Sequence, residues 1–209
     1  MTIHKKQINF WTGDTGNKYI KRNQTNEDNQ NNRLNFWKKI FSKIELDTNA
    51  KIFEVGANIG LNLSAIQLLG NYQIFALEPN QLACAEIEKN KIVKANNLIQ
   101  STANKIGFKD KSFELTFTCG VLIHIHPDDL LKAMEEIIRV SNKYIICAEY
   151  FSDKEEEIKY HGEDELLFKR DFGSYYLDNF PKLKLIDYGF SWKKVTGMDN
   201  LTWWIFEIN

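Results

Sequence analysis

The chain has 209 residues, 43% of them hydrophobic and 26% charged, with 27 Lys and Arg against 28 Asp and Glu and a formal net charge of -1. That is the composition of a globule able to bury a core without disulfides or metal. The charge balance lacks the basic footprint of a nucleic-acid binder, and no stretch reaches the roughly 18 apolar residues of a membrane helix. The three cysteines, Cys84, Cys119 and Cys147, stand far apart and read as small buried hydrophobes of a reducing compartment. No apolar leader precedes the first charged residues, so a cytoplasmic location is expected.

Residues 1–32 alternate polar and aromatic groups. Asn23 to Asn32 is nearly all Asn, Gln and acids and reads as a mobile loop. Phe10, Trp11 and the cluster Tyr19, Arg22, Asn23 point instead to a segment that packs on something, with Arg22 able to hold a carboxylate in bidentate fashion. Leu34, Trp37, Phe41 and Ile44 recur at helical spacing and predict an amphipathic helix over 33–44.

Ile52, Phe53 and Val55 predict a strand buried on both faces. Gly56 and Gly60 bracket a tight turn into a helix over about 61–69, whose free N–H groups attract an anionic ligand group. Glu54 places an acid inside this apolar strand, which is costly unless the carboxylate finds a partner or a polar cavity. A second strand, Gln73 to Leu77, ends in Glu78, Pro79 and Asn80. An acid at that place can accept hydrogen bonds from a ribose diol. Strand, glycine loop, helix, strand and acid together make a nucleoside-binding βαβ unit. The dinucleotide fingerprint would need glycine where Asn58 and Leu61 stand, which argues against a nicotinamide enzyme.

A helix over 82–90, a brief third strand over 98–101 and a fourth strand over 113–118 follow. Cys119 to His126 lies beyond the fourth strand, on the ligand side of an open α/β sheet. Pro127, Asp128 and Asp129 open a helix with proline in its first turn and acids facing the dipole. Residues 143–150 predict a fifth strand ending in Glu149 and Tyr150. Residues 150–182 break the alternation and read as an insertion on the substrate side. Two closing strands are expected over 184–190 and 201–208. No internal repeat is present, and the whole chain, 1–209, reads as one domain with an N-terminal arm and helix over 1–45.

The pattern Glu54-x-Gly56-x-x-x-Gly60, with Glu78 after it, resembles motif I of the class I S-adenosylmethionine-dependent methyltransferases. Three further segments resemble the methylase family associated with pseudaminic acid biosynthesis: Gly13 to Asn23, Gly120 to Asp129, and Glu149 and Tyr150 with Tyr160 to Gly162 and Phe168 to Gly173. The ending Thr202 to Glu207 fits as well. The resemblance implies a Rossmann-like α/β fold: a seven-stranded, mostly parallel sheet with a C-terminal antiparallel strand pair and helices on both faces. It implies S-adenosylmethionine as cofactor, S-adenosylhomocysteine as product, and a small sugar-derived or nonulosonic acid-related acceptor of surface polysaccharide metabolism.

Carried onto this sequence, the cofactor contacts expected are Glu54, Gly56, Asn58, Gly60, Glu78, Pro79, Thr102, Ala103, Cys119, Tyr19, Arg22 and Asn23. No Asp stands near residue 102, so the adenine falls to Thr102, Asn104 or a backbone N–H. His124, with an ordinary pKa near 6.5, is the first candidate base; Glu149 is the second. Tyr150, His161, Arg170 and Asp171 are the expected substrate contacts, Arg170 with Lys169 suiting a carboxylate or phosphate. No metal set, nucleic acid or membrane is expected, and the oligomeric state stays open. The competing reading is a non-catalytic nucleoside-binding or partner protein that keeps the fold.

Overall fold

A computed structural model describes residues 4–23 and 26–209. Seven strands form one sheet in the order β3-β2-β1-β4-β5-β9-β8. They are β1 (Lys51–Val55), β2 (Gln73–Leu77), β3 (Leu98–Ile99), β4 (Phe113–Cys119), β5 (Ser141–Glu149), β8 (Leu183–Ser191) and β9 (Leu201–Ile208). The first five run parallel; β9 pairs antiparallel with β5 on one side and β8 on the other. This is the Rossmann-like methyltransferase fold expected from the sequence, including its closing antiparallel pair. Chain direction across the sheet reverses between β1 and β4, so the crevice beyond their carboxyl ends is the place for a ligand.

Strand periodicity decides which side chains reach which face. Ile52 joins the core under α3 (Glu27–Phe41), α4 (Leu61–Gln67) and α5 (Gln81–Lys89). Phe53 and Val55 join the opposite core, under α6 (Pro127–Val140) and α7 (Phe172–Asn179). Glu54 therefore points to the α3–α4 side, at the end of β1 nearest the crevice. Trp37 of α3 is fully buried and packs edge-on against Phe117 of β4, ring centroids 4.6 Å apart. Burial of a side chain this large contributes roughly 1.5–3 kcal/mol and fixes α3 over β1 and β4.

The N-terminal arm is more ordered than its composition predicts. It forms α1 (Lys5–Thr12) and α2 (Asp14–Arg22). Residues 27–32 of the asparagine-rich stretch are not a loop but the first turns of α3; Asn23 ends α2, and Gln24 and Thr25 lie outside the described residues. Asn26 caps that helix by accepting from the Asn29 N–H at 2.8 Å, and Glu27 and Asp28 face its dipole. The insertion is a separate hairpin, β6 (Glu156–Tyr160) and β7 (Glu163–Lys169), followed by α7. A short helix, α8 (Lys193–Thr196), joins β8 to β9. Among the described residues no helix is long and apolar enough to cross a membrane.

Candidate functional site

The crevice at the ends of β1, β2 and β4 holds a cavity of about 220 Å³. Its floor is the β1–α4 loop. Gly56 sits there at φ 76°, where a Cβ would lie 2.7 Å from Cγ2 of Val121. Asn58 follows at φ 48°, a left-handed conformation that Asn tolerates better than most residues. Its side-chain oxygen accepts from the Ile59 N–H at 2.8 Å. Helices α1 and α2 cover the cavity, with Gln7, Trp11, Tyr19 and Ile20 in its wall.

Two buried acids face this space from adjacent strands. Glu78 takes the Asn58 N–H on Oε2 and the Asn80 N–H on Oε1, each at 2.8 Å, and so ties the loops after β1 and β2 together. Burial pushes its pKa up to about 7 against those two bonds. Glu54 accepts on Oε1 from the Asn62 side-chain amide at 2.7 Å, while its Oε2 is buried with no partner. Burial pushes Glu54 up to about 8, with the Asn62 hydrogen bond and the charge of Arg33 opposing. Arg33 donates to the Asn62 carbonyl at 2.7 Å, and Trp37 Nε1 adds a bond to the same oxygen at 3.2 Å. An acid with an orphaned buried oxygen and a guanidinium in the same cavity lining suit a ligand that carries both an ammonium and a carboxylate.

Of the cofactor contacts expected from sequence, Glu54, Gly56, Asn58, Glu78, Pro79, Thr102, Ala103, Cys119, Tyr19 and Asn23 line this cavity. Two do not. Gly60 packs under α5, where a Cβ would meet Ile92 at 3.1 Å; its part is helix packing. Arg22 is exposed, its guanidinium 5.0 Å above the Tyr19 ring. Arg33, eleven residues further on in α3 and just after a run of asparagines, is the arginine in the cavity. Asn62 was equally unmarked by the sequence.

A second cavity, about 440 Å³, adjoins the first. Tyr19, Asn23, Arg33, Cys119, Gly120 and His124 line both. Asn26, Asn29 and Asn32 of α3, Tyr150, Tyr160 and Asp199 extend the second wall. The His124 ring nitrogen Nδ1 lies 2.7 Å from the Leu166 carbonyl oxygen. That oxygen can only accept, so Nδ1 carries the proton and Nε2 keeps its lone pair. Burial pulls the His124 pKa down to about 4, and Trp11 packs edge-on against the ring at 4.6 Å.

Glu149 lines neither cavity. It is fully buried behind the loop after β4, accepting the Val121 N–H at 3.1 Å, with the Ile123 N–H at 3.5 Å, its pKa pushed up by burial to about 7. Of the expected substrate contacts, Tyr150 alone lines the second cavity. His161 is in the exposed β6–β7 turn at φ 52°. Asp171 caps α7, accepting from the Ser174 N–H at 2.9 Å. Arg170 is buried outside both cavities, paired with Glu155 at 3.0 Å and stacked 5.0 Å over Tyr175. The insertion thus turns its charged segment away from the crevice and contributes Tyr160 and Leu167 instead.

Among the described residues, His4, His126 and Asp128 bring ligand-type atoms within 4.8 Å of one another. The two rings stack at 3.7 Å, and His126 Nδ1 also accepts the Asp128 N–H at 3.2 Å, so this group reads as the cap of α6 held against the N-terminal arm.

Residues 53–145 match the family model described as "Methyltransferase domain". No curated protein matches the sequence. Solved structures resemble it in fold at low identity. The 1,6-didemethyltoxoflavin-N1-methyltransferase of Burkholderia thailandensis, solved with 1,6-didemethyltoxoflavin and S-adenosylhomocysteine bound, aligns at TM-score 0.68 and 12% identity over 97% of this chain and 87% of its own. A SAM-dependent methyltransferase from Aquifex aeolicus aligns at 0.66 and 16% over 92% and 98%. Magnesium protoporphyrin IX methyltransferase from Synechocystis PCC 6803, with bound SAM, aligns at 0.69 and 8% over 100% and 99%. Residues 53–145 thus match a methyltransferase domain, and the whole chain shares the fold of these solved methyltransferases.

Proposed function

We propose that this chain transfers a methyl group from S-adenosylmethionine to a small hydroxyl-rich acceptor in the cytoplasm. The acceptor class is a sugar or nonulosonic acid-related metabolite of surface polysaccharide biosynthesis. The observation that carries the reading is the wall shared by the two cavities, with His124 and Gly120 on it. A methyl donor in the first cavity and an acceptor in the second would meet across that wall.

The chain's residues divide accordingly. Glu78 takes the ribose diol on the lone pairs left free by Asn58 and Asn80. Glu54 Oε2 takes the ammonium of the methionyl group, and Arg33 its carboxylate. Gly56 lets the backbone approach the ligand without a Cβ between. Thr102, Ala103 and Asn104 border the adenine end. When bound, the cofactor supplies an electrophilic methyl on a good leaving group, so the protein's task is mainly alignment, water exclusion and removal of one proton. Trp11 and Tyr19 close the cavity against water. His124 Nε2 takes the proton of the acceptor's hydroxyl or amine. Glu149 is a positioning residue: it holds the backbone of residues 121–123 and, through it, His124.

Calorimetric titration with S-adenosylmethionine, S-adenosylhomocysteine and NADH tests the reading. Micromolar binding of the two sulfur nucleosides, without NADH binding, is the expected result, followed by methyl transfer from labelled cofactor in a screen of sugar metabolites. NADH binding, or no nucleoside binding, would overturn it. Cofactor binding with no transfer to any acceptor, equal to an inert His124 variant, would favour a non-catalytic role.

A further inference from the structure

The polar lining of the second cavity narrows the acceptor, on the strength of the functional reading above. Asn26, the cap of α3, and Asn29 and Asn32 in its first turns line this cavity together with Tyr150 and Tyr160. Amides and phenols both donate and accept, which suits hydroxyl groups of either polarity.

The charges are less even-handed. Among the described residues Arg33 is the one Lys or Arg in the wall, against the carboxylates of Asp28 and Asp199. Arg33 is already committed. Its Nε donates to Asn29 at 3.0 Å, its Nη1 donates to Asn62 at 2.7 Å, and it also faces the first cavity beside Glu54. Lys193 pairs with Asp199 at 2.9 Å but is not part of the wall. Lys169 and Arg170, the cations that the sequence offered for an acid, line neither cavity. With Asp199 paired to Lys193 and Arg33 committed, a carboxylate or phosphate entering here would meet the carboxylate of Asp28 with no free cation in the wall to offset it.

We infer that the second cavity takes an amine-bearing or uncharged polyol, an amino sugar or its N-acyl derivative, and excludes sugar phosphates and sugar acids, so that of the acceptor classes proposed above it keeps the sugars and drops the nonulosonic acids themselves. The methyl-accepting atom is then a hydroxyl oxygen or amine nitrogen. It forms the new bond to carbon as the carbon–sulfur bond breaks, and its proton passes to His124 Nε2.

The test uses the full chain saturated with S-adenosylhomocysteine, saturation being checked by calorimetry. Saturation-transfer NMR then compares glucosamine, N-acetylglucosamine, N-acetylneuraminic acid and glucose 6-phosphate. Either of the first two should bind at least 10-fold more tightly than the two anions. Asp28→Asn/Asp199→Asn should cut glucosamine binding at least 3-fold and spare N-acetylglucosamine, while S-adenosylhomocysteine affinity stays within 2-fold of the parent. An anion that binds as well as the neutral sugars overturns the inference, as does a nucleoside-saturated protein that binds none of the four. Failure of the nucleoside itself to bind is a separate result: it removes the cofactor reading and the inference with it.

Discussion

The side-chain amide of Asn62 donates to Glu54 Oε1 at 2.7 Å, and its carbonyl accepts from Arg33 Nη1 at the same distance. One amide on α4 thus couples an acid on β1 to a base on α3 and holds both at the cavity wall. Asn62→Leu would leave Glu54 without its donor and Arg33 and Trp37 without their acceptor. Each orphaned polar group costs about 1–3 kcal/mol. The expected outcome is a lower Tm and S-adenosylhomocysteine affinity weakened at least 10-fold in calorimetry. Unchanged affinity would mean that Glu54 and Arg33 hold their places without this bridge.

Glu54 also makes stability depend on pH in a defined direction. Its folded pKa, about 8, is raised above the ordinary 4.5. A carboxyl so raised contributes stability that is present in full below about 4.5 and lost as pH rises through about 8. The neutral variant Glu54→Gln lacks this loss. The Tm difference, variant minus parent, should therefore grow in favour of the variant from pH 5 to pH 8.5 without ligand. Saturating S-adenosylmethionine should shrink or reverse it, because an ammonium beside the carboxylate favours ionisation. A difference flat across that range would show that Glu54 titrates as an ordinary exposed acid does.

Glu78 anchors two backbone amides, so its removal has two readable effects. Glu78→Ala should weaken S-adenosylhomocysteine binding by about two to four decades, since two charge-assisted bonds to a diol are lost at roughly 1.5–3 kcal/mol each. It should also lower Tm, because the Asn58 and Asn80 N–H groups lose their acceptor. Glu78→Gln keeps one acceptor oxygen and should recover part of the Tm and little of the affinity. Recovery of both in parallel would reduce Glu78 to a loop tie.

What the sequence made legible is what lies close along the chain. The β1–α4 loop, Glu54 and Glu78 belong to one βαβ unit, where strand, turn and acid follow in fixed order, and each reaches the cavity. Arg33 and Asp199 were not legible, because their places depend on how α3 and the β8–β9 connection fold over the crevice; Asn62, inside the βαβ unit, went unmarked because its residue type alone does not tell that its amide meets Glu54. Arg33 opened the expected helix over 33–44, at the edge of a run of asparagines that reads as loop until Asn26 is seen capping a longer helix. Arg170 misled in the opposite way. Charge mixed with Phe and Tyr suggested a substrate pocket, but the β6–β7 hairpin pairs Arg170 with Glu155 and stacks it over Tyr175. Arg22 was chosen for its residue type and ended on the exposed side of α2.

His124 is held as a neutral base by geometry as much as by burial. The Leu166 carbonyl fixes the proton on Nδ1, and a pKa of about 4 keeps the ring uncharged through neutral pH. General-base removal of a proton is worth about 10²- to 10⁴-fold. His124→Phe should slow methyl transfer at least 100-fold while S-adenosylhomocysteine affinity stays within about 3-fold. Glu149→Gln, one step removed, should slow transfer about 10-fold with the same spared affinity, since a glutamine cannot accept with both terminal atoms. A rate unchanged in His124→Phe would leave alignment alone as the protein's contribution.

Gly56 separates backbone freedom from side-chain space. Its φ of 76° strains any residue with a Cβ by about 1–2 kcal/mol, and that Cβ would also lie 2.7 Å from Cγ2 and 3.0 Å from Cγ1 of Val121. The contact with Val121 means that a substitution here moves the loop itself as well as crowding the ligand. Gly56→Ala should lower Tm even without ligand. Val121→Ala removes both methyl groups and relieves the contact but not the φ strain. The double variant should therefore be more stable than the sum of the two single losses, by roughly 0.5 kcal/mol or more, yet still below Val121→Ala alone. Strict additivity would show that the contact costs nothing. Full recovery to the level of Val121→Ala would show that the left-handed backbone costs nothing.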